Sequence, residues 1–520
     1  MESIRLLDSL RIIQIVLFIE VATIVQSAAQ ICPYTAVTCK CSGSTLECTD
    51  LLEIPTLYTG TDAANIRVLY LLNGNITSIS GNSLPPGLDQ LHFSDHPLTN
   101  LSDDAFNSSA QTLTSLAIDG GDFRHLPKAL LVLTNLTALY IRDTPIKDWN
   151  NSILNHIISN VRQLQLKNVG LSAWPDAISL SHQIVYLDLS DNLLKNIPDN
   201  AFLSFNDTLE VLDLANTGLT QVPQALSTLS NLIVLDLSGI HLTNVRDIEQ
   251  LASMPFGKHP SSIDLESSGL KTILNFSSFT SLLEINLNNN SISNASSGSF
   301  PLSLTELWLQ ENHLTSVPTT IANLPYLSDL DLSFNQIRKI EPGSLPSSLK
   351  TLDLGDNRLT AITNTTFKNM TNLSYLILSD NLISTIDPSA FTDLLSLGYL
   401  SIFRSNLSEI PLAIASLPVD IELSIIQFNK IPCPCPPPQE LVHWFALHNG
   451  SVSIDIDCLN YVAVERYLTT GCIPTTTAAL ADTSPGGTTA SPGGSTNLKP
   501  SFLSISVSVL LMMAVWMNLY

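Results

Sequence analysis

Positive charge is scarce in this sequence of 520 residues. Lys and Arg number 23 against 46 Asp and Glu, which gives a formal net charge of −23. Such a balance repels a phosphate backbone, so binding to nucleic acid is excluded as a function. Catalytic motifs are also missing: the ten histidines are scattered, and no G-x-S-x-G, H-E-x-x-H or phosphate-binding loop occurs. The sequence therefore predicts a protein that is not an enzyme and holds no cofactor or metal.

Four consecutive segments in the second half of the chain follow one template. They read LTELWLQENHL (304–314), LSDLDLSFNQI (327–337), LKTLDLGDNRL (349–359) and LSYLILSDNLI (373–383). All fit L-x-x-L-x-L-x-x-N-x-L, which is the signature of leucine-rich repeats. The alternating leucines predict a short strand whose leucines face inward while the residues between them face outward. Extended in both directions, the template gives about 16 repeats over residues 60–431, in steps of 21 to 28 residues.

The predicted fold class is α/β, a leucine-rich-repeat solenoid curved into a horseshoe with a parallel sheet on its concave face. Segments returning from each strand carry either a buried Phe or a Pro followed by spaced aliphatic residues, and their width bends the stack. The Asn of the template is predicted to satisfy backbone groups inside each turn, and it occurs at Asn192, Asn290, Asn312, Asn335, Asn357 and Asn381. Since the other repeats lack it, we expect irregularity in the N-terminal half and around residues 232–282.

Two groups of four cysteines bracket the repeats, at residues 30–59 and 432–473. With no matching histidines, they favour disulfides over a metal site, and such caps would cover the apolar ends of the solenoid. The groups C-x6-C-x-C-x6-C and C-x-C-x22-C-x13-C resemble the flanking domains of animal extracellular leucine-rich-repeat proteins. That resemblance implies the disulfides Cys32–Cys41, Cys39–Cys48, Cys433–Cys458 and Cys435–Cys472.

The ends of the chain indicate export to the cell surface. Residues 1–29 carry early arginines, an apolar run and small residues that suit cleavage of a signal peptide. Residues 474–501 form a stalk rich in Thr, Ser, Pro and Gly, and residues 502–520 are apolar. The apolar segment is predicted to be a signal for a glycosylphosphatidylinositol (GPI) anchor attached at Gly494, with a single membrane helix as the alternative.

Fourteen N-x-[ST] sequons predict a heavily glycosylated extracellular protein. They lie at Asn75, Asn100, Asn107, Asn135, Asn150, Asn206, Asn275, Asn289, Asn294, Asn364, Asn369, Asn372, Asn406 and Asn449. No sequon occurs between Asn294 and Asn364, so this stretch is a candidate for an uncovered binding surface.

Outward strand positions carry a stripe of acidic residues that we predict to dock a basic protein surface on the concave face, with Trp308 as an exposed aromatic anchor. The alternative is that these carboxylates only serve local hydrogen bonds. The candidate partner-binding residues are Asp188, Asp213, Asp236, Asp264, Glu306, Trp308, Asp329, Asp331 and Asp353. A second contact area is predicted on the N-terminal strands, at Tyr70, His92, Tyr140, Arg142 and Lys167.

The repeats, caps and tail together are similar in architecture to GPI-anchored adhesion and guidance proteins such as connectin and the Nogo receptor. The resemblance implies a cell-surface protein that binds an extracellular protein ligand or a second copy of itself, while a lipid anchor holds it in the outer leaflet. Two alternatives stay open: recognition of microbial products in innate immunity, and a structural role in the extracellular matrix.

Overall fold

A computed structural model describes residue 34 and residues 38–57, 65–149, 151–242, 260–426, 430–448, 452–455, 457–459 and 463–470. Nineteen of its strands form one sheet. The strands are β1 Cys39–Ser42, β2 Thr45–Thr49, β3 Val68–Leu72, β4 Ser78–Ile79, β5 Gln90–Ser94, β6 Asn100–Leu101, β7 Ser115–Asp119, β8 Ala138–Arg142, β9 Gln163–Lys167, β10 Tyr186–Asp188, β11 Val211–Asp213, β12 Val234–Asp236, β13 Ser262–Asp264, β14 Glu284–Asn286, β15 Glu306–Trp308, β16 Asp329–Asp331, β17 Thr351–Asp353, β18 Ala361–Ile362, β19 Tyr375–Ile377, β20 Thr385–Ile386, β21 Tyr399–Phe403, β22 Glu422–Ile426 and β23 Val452–Asp455.

The large sheet is parallel and in register from β2 to β23. Only β1 runs antiparallel, in a hairpin with β2, and the short pairs β4–β6 and β18–β20 lie outside the sheet. The three-residue strands β11 to β17 and β19 bury their central residue and leave the two flanking residues partly exposed, as in β16, where Leu330 is buried between Asp329 and Asp331. The alternation of leucines with polar residues therefore sets the two faces of the sheet, as predicted.

The returning segments pack as the two predicted types. The phenylalanines of one type are buried, at Phe106, Phe202, Phe300, Phe367 and Phe391. In the other type, a proline precedes a 3-10 helix, and these helices span Lys128–Val132, Gln224–Thr228, Thr319–Ile321 and Leu412–Ser416. Proline suits this position because its fixed φ angle and missing N–H cost nothing where a helix begins. One α-helix, α1 (Asn151–Ile157), also lies on this side.

The template asparagines form a ladder through the interior of the solenoid. Asn335 accepts a bond from the backbone N–H of Leu314 at 2.9 Å and donates to the carbonyls of Leu309, Leu332 and Ser333 at 2.8–3.1 Å. The side chain is buried. It therefore satisfies backbone groups of its own repeat and of the preceding repeat, which would be costly to leave unpaired.

The predicted irregularity in the N-terminal half is wrong for the described strands. Strands β3, β5, β7, β8 and β9 are five residues long and pair in register. Their backbone bonds do not depend on an asparagine, and other side chains replace it: the N–H of Gly121, for example, donates to Thr144 Oγ1 at 3.0 Å. Around the second expected irregularity, β12 and β13 pair directly, while residues 243–259 between them lie outside the described part of the chain.

A histidine occupies the ladder position of the second repeat. His96 is fully buried, and its Nδ1 accepts the N–H of Ile76 at 3.3 Å, just as Asn192 accepts the N–H of Leu171. The preceding repeat has Gly74 at this position, where a Cβ would lie 2.3 Å from the His96 ring. Only glycine leaves room for the imidazole, so the pair replaces the asparagine of a regular repeat.

Acidification should weaken this junction. Burial lowers the pKa of His96, against smaller opposing effects of the Leu71 carbonyl and of Asp95, its charged neighbour. Because the unfolded chain takes up this proton more readily, stability is lost as pH falls below about 6.5, the ordinary pKa of histidine. In His96→Asn, the stability lost between about pH 7.5 and about pH 5.5 should be smaller than in the wild type. Denaturant unfolding at both pH values measures this, and an unchanged pH dependence would contradict it.

Disulfides close both ends of the described array. Cys39–Cys48 crosslinks β1 to β2, and Cys433–Cys458 joins two segments after the last repeat, in agreement with the two pairings that the resemblance implied. Cys41 and Cys435 are also disulfide-bonded, while Cys32 and Cys472 lie outside the described residues. Helices α2 (Gln439–Leu447) and α3 (Val464–Thr470) complete the C-terminal end. Trp444 of α2 is buried there and donates its Nε1–H to the Leu417 carbonyl at 2.8 Å.

Membrane attachment concerns parts of the chain that the structure does not describe. The predicted signal peptide, the stalk with Gly494 and the apolar segment 502–520 all lie outside the described residues. Among the helices within the described ranges, none is long and apolar enough to cross a bilayer.

Candidate partner-binding face

Outward residues of successive strands stack in two columns on the concave face. In the central column, strand register places Asp188, Asp213, Asp236 and Asp264 side by side, followed by Asn286, Trp308, Asp331 and Asp353. In the second column, Glu284, Glu306 and Asp329 are adjacent. Since neighbouring strands lie about 4.8 Å apart, carboxylates along each column are close enough to repel one another.

The structure brings all nine candidate residues to this face, but not with equal exposure. Asp188 is only 2% exposed and accepts a hydrogen bond from Gln165, so it contributes charge rather than contact area. Trp308 is partly buried between Asn286 and Asp331 and is not the freely exposed anchor that the sequence predicted. The remaining seven carboxylates are partly exposed. That these residues bind a partner stays a prediction.

Local hydrogen bonding explains why aspartate recurs in the central column. Asp213 Oδ1 accepts the backbone N–H of Ala215 at 2.9 Å, and Asp353 Oδ1 accepts that of Gly355 at 2.7 Å. The same bond occurs at Asp188, Asp236, Asp264 and Asp331. Asn286 makes it too, at 3.0 Å to the N–H of Asn288. The local role is therefore confirmed, but it uses one oxygen and needs no charge, so it does not account for the acidic sign of the column.

Burial and mutual repulsion make these carboxylates reluctant to ionise. Desolvation, with the charges of Asp188 and Asp236 adding to it, raises the pKa of Asp213 to about 8. Desolvation also raises the pKa of Asp264, Glu306 and Asp353 to about 7. Desolvation is also the main cause of the raised pKa values of Asp236 and Asp331. A cationic partner would relieve this repulsion, so the face is electrostatically prepared for positive charge.

Replacing Asp213 with asparagine should stabilise the protein at high pH. The folded-state pKa of about 8 lies above the ordinary aspartate value of 3.8, so wild-type stability falls as pH rises between those values and the loss is complete above about 8. The advantage of Asp213→Asn should grow over that window by up to about 1.4 kcal/mol per pH unit. Denaturant unfolding from about pH 5 to about pH 9 measures it. The exposed control Asp103→Asn should show the same pH dependence of unfolding free energy as the wild type. A stability difference between Asp213→Asn and the wild type that does not change with pH would contradict the prediction.

An aromatic pair that the sequence did not single out lies further along the second column. The rings of Tyr375 and Tyr399 stack at 4.3 Å between centroids with an 8° interplanar angle. Both side chains are partly exposed. Beside them, Arg404 lies over the ring of Phe403 at 4.6 Å. The signal was present in the sequence, since both tyrosines precede the second leucine of consecutive repeats, but it required reading that column as well as the central one.

Charged residues of the N-terminal contact area pair with acidic residues of the protein itself. Asp119 accepts two bonds from Arg142, at 2.7 and 2.8 Å, and His92 Nε2 lies 3.1 Å from the same carboxylate. Lys167 pairs with Asp191 at 3.2 Å. The rings of Tyr70 and His92 are 5.8 Å apart. The positive charges of Arg142 and Lys167 are therefore neutralised within the protein, and binding through this area stays a prediction.

Most sequon asparagines in the described ranges are exposed. Within the described ranges, Asn206 is partly buried and the other eleven sequon asparagines are exposed, whereas Asn150 and Asn449 lie outside those ranges. Their glycosylation stays a prediction. In the same part of the chain, no group of three or more His, Cys, Asp or Glu side chains is arranged to hold a metal ion.

Models of repeat families match three parts of the chain. The model described as Leucine rich repeat matches residues 182–242 and 347–407, and the model of two Leucine Rich repeats matches residues 302–347. No family of catalysts is among these matches. A comparison with curated protein sequences gives no match.

Solved structures share the fold at low sequence identity. A leucine-rich-repeat protein of Leptospira interrogans is 22% identical, over 75% of this chain and 90% of that one, with a TM-score of 0.52. The Toll–Spatzle complex of Drosophila gives 19% identity over 77% of this chain and 57% of that one, with a TM-score of 0.60. The mouse RP105/MD-1 complex gives 19% identity over 76% of this chain and 72% of that one, with a TM-score of 0.54. The match thus spans little more than half of the Drosophila chain.

The strand register, the asparagine ladder and the family matches agree on the kind of molecule. A stack of in-register parallel strands with an open face defines a repeat solenoid, a scaffold that commonly binds other proteins. The chain contains leucine-rich repeats and folds as a leucine-rich-repeat solenoid.

Proposed function

We propose that this chain is a cell-surface protein that binds an extracellular protein through its concave face, in adhesion, guidance or recognition. The observation that carries the proposal is the pairing of two acidic columns with partly exposed aromatic rings at Trp308, Tyr375 and Tyr399. Aromatic anchors within a charged surround are typical of energetically important interface positions. Carboxylates held close together and partly desolvated select a partner that brings positive charge.

A basic partner fits this face better than a second copy of the chain. The net charge of −23 opposes self-association, and Arg142 and Lys167, the positive groups of the N-terminal area, already pair with Asp119 and Asp191. No sequon occurs between Asn294 and Asn364, so no glycan is predicted to be attached to the strands β15 to β17. We therefore place the centre of the contact on those strands, around Trp308, Asp331 and Asp353.

Two of the structural neighbours support a protein ligand. The Drosophila and mouse structures are complexes, Toll with Spatzle and RP105 with MD-1. The Toll–Spatzle complex is a molecular hub in Drosophila development and innate immunity, which favours immune recognition as the second candidate function for this chain. A structural matrix component is the third, and it would not need a single charge sign on one face.

The proposed location is the outer leaflet of the plasma membrane, through a GPI anchor at Gly494. Small residues at 493–495, a polar spacer and the apolar segment 502–520 follow one another, in the order expected for an anchor signal. A phosphatidylinositol-specific phospholipase should release the protein from intact cells. Retention on the cells would favour the single membrane helix.

A screen of the soluble fragment 30–473 against extracellular proteins tests the function directly. The proposal expects a protein ligand whose binding weakens with salt, together with aggregation of cells that display the chain and its ligand. Binding to bacterial or fungal polymers, with no protein ligand, would overturn it in favour of immune recognition of microbial products.

A further inference from the structure

The residue before each ladder position adopts a left-handed backbone conformation. Small polar residues and glycines occupy most of these positions, which suits their tolerance of positive φ. One member of the row is a phenylalanine: Phe334 has φ of +52° and is 48% exposed. A bulky side chain in this conformation costs on the order of 1 kcal/mol, and about half of this side chain is open to solvent. An aromatic ring that is both strained and exposed is a candidate for contact with something outside the fold.

A shallow groove of about 550 Å³ lies beside this ring. Besides Phe334, its exposed rim is formed by Asn289, Glu311 and His313, with Gln336 partly buried. Three consecutive ladder asparagines line the groove at its base. Because successive strands are about 4.8 Å apart, Phe334 lies about 10 Å from Asn289, two repeats along the same row.

The sequon Asn289-Asn290-Ser291 itself lines this groove. Asn289 is exposed, and its Nδ2 donates one hydrogen to Ser267 Oγ at 2.9 Å. Ser267 belongs to the preceding repeat, on the side away from Glu311 and Phe334. If that bond is kept, the second amide hydrogen of Asn289 points away from Ser267. This second hydrogen is the one that a sugar would replace, so the bond to Ser267 leaves Asn289 able to carry a glycan, and Asn289 itself lines the groove.

We propose that Asn289 carries an N-linked glycan whose first N-acetylglucosamine residues lie in this groove and pack against the Phe334 ring. Transfer from a lipid-linked oligosaccharide diphosphate would join the anomeric carbon to Nδ2, releasing the amide hydrogen as a proton and the lipid diphosphate as leaving group. The C–H face of a pyranose covers an aromatic ring well, while Glu311, His313 and Gln336 offer hydrogen bonds to the sugar hydroxyl and acetamide groups. The inference rests on the proposed passage through the secretory pathway.

A double-mutant cycle on the full chain secreted from eukaryotic cells tests the contact. Phe334→Asn places a residue that tolerates positive φ, as Asn216 and Asn289 do in the same row. In the Asn289→Gln background, where the ring has no sugar to cover it, Phe334→Asn should raise the Tm by about 2 °C, because strain is relieved. With the glycan present, the same substitution should leave the Tm unchanged or lower it, because the sugar loses its contact.

The sequon at Asn294 provides the matched control. It is exposed in the same repeat but does not line the groove, so Phe334→Asn should act in Asn294→Gln as it does in the fully glycosylated protein. Equal Tm shifts in all backgrounds would overturn the contact. Peptide mapping that finds sugar at other sequons but none at Asn289 would also overturn it. Finding no sugar at any sequon would instead refute the proposed extracellular location.

Discussion

Replacement of Asn335 by alanine should lower the free energy of unfolding by about 2 kcal/mol or more. The substitution removes one acceptor and two donor hydrogens and leaves the N–H of Leu314 without its partner in a buried turn. The carbonyls of Leu309 and Leu332 lose one bond each but keep those from Asn312 and Asn357. Each unpaired buried group costs about 1–3 kcal/mol, since water cannot replace the lost bond. Denaturant unfolding measures the loss, and hydrogen exchange at the Leu314 amide should show where it acts.

Two further variants test whether the loss of stability is specific to an asparagine in the ladder or follows the loss of any asparagine. Asn160 is exposed and makes one bond, to the Thr134 carbonyl at 2.8 Å, so Asn160→Ala should cost less than about 1 kcal/mol. Asn335→Thr should lie between the two, because a hydroxyl at the equivalent position can still bond, as Thr217 does with the Leu214 carbonyl. If Asn335→Ala cost no more than Asn160→Ala, the ladder would not hold the repeats together.

Removing charge from the concave face should slow binding of a protein ligand. In a triple variant carrying Asp213→Asn, Asp264→Asn and Asp353→Asn, the association rate should fall about tenfold and its salt dependence should weaken at low salt and about pH 9, which is above the raised pKa values of all three carboxylates. The fold should survive, because Asn286 already makes the same turn bond without a charge. Asp236 and Asp331 are left unchanged, because an asparagine at either position would create a sequon with Ser238 or Ser333. Stopped-flow or surface binding of the fragment 30–473 to the ligand from the screen measures the rates.

The matched control removes equal charge from elsewhere on the surface. Asp103, Asp176 and Asp199 are exposed and lie outside the two columns, so their triple replacement by asparagine should leave the association rate within about twofold of wild type. Trp308→Ala should act differently, by speeding dissociation about 30-fold, which corresponds to about 2 kcal/mol for an interface anchor. If both triple variants slowed association equally, only net charge would matter and the concave face would not be the contact.

The repeat architecture could be predicted because its information is local in sequence. A strand, its buried leucines and its ladder asparagine all lie within eleven residues, so each segment such as 327–337 shows the whole pattern. The buried phenylalanines and the prolines before 3-10 helices were visible for the same reason. His96 was missed because its role depends on Gly74, which is 22 residues earlier in the chain and makes room for the ring.

The sequence predicted which residues lie on the candidate binding face, but not their pKa values or their contacts. The period of the repeat placed Asp213 and Asp353 on one face, yet their raised pKa values come first from burial and then from carboxylates one repeat away. The same distance in sequence concealed the stacking of Tyr375 on Tyr399 and the pairing of Arg142 with Asp119. A residue type alone does not show whether its charge is free or neutralised.

The sequence by itself determined the solenoid, the side of the sheet that each residue faces, and the cysteines of the two caps, because a short period and a fixed spacing leave one way to bury the leucines. The tertiary structure decided which side chains become neighbours across repeats. That set the resistance of the acidic columns to ionisation, the neutralisation of the N-terminal cations and the strained, exposed position of Phe334 beside the Asn289 sequon. The first two of these properties arise between groups about 5 Å apart in space but more than 20 residues apart in the chain, and only the register of the strands brings such groups together.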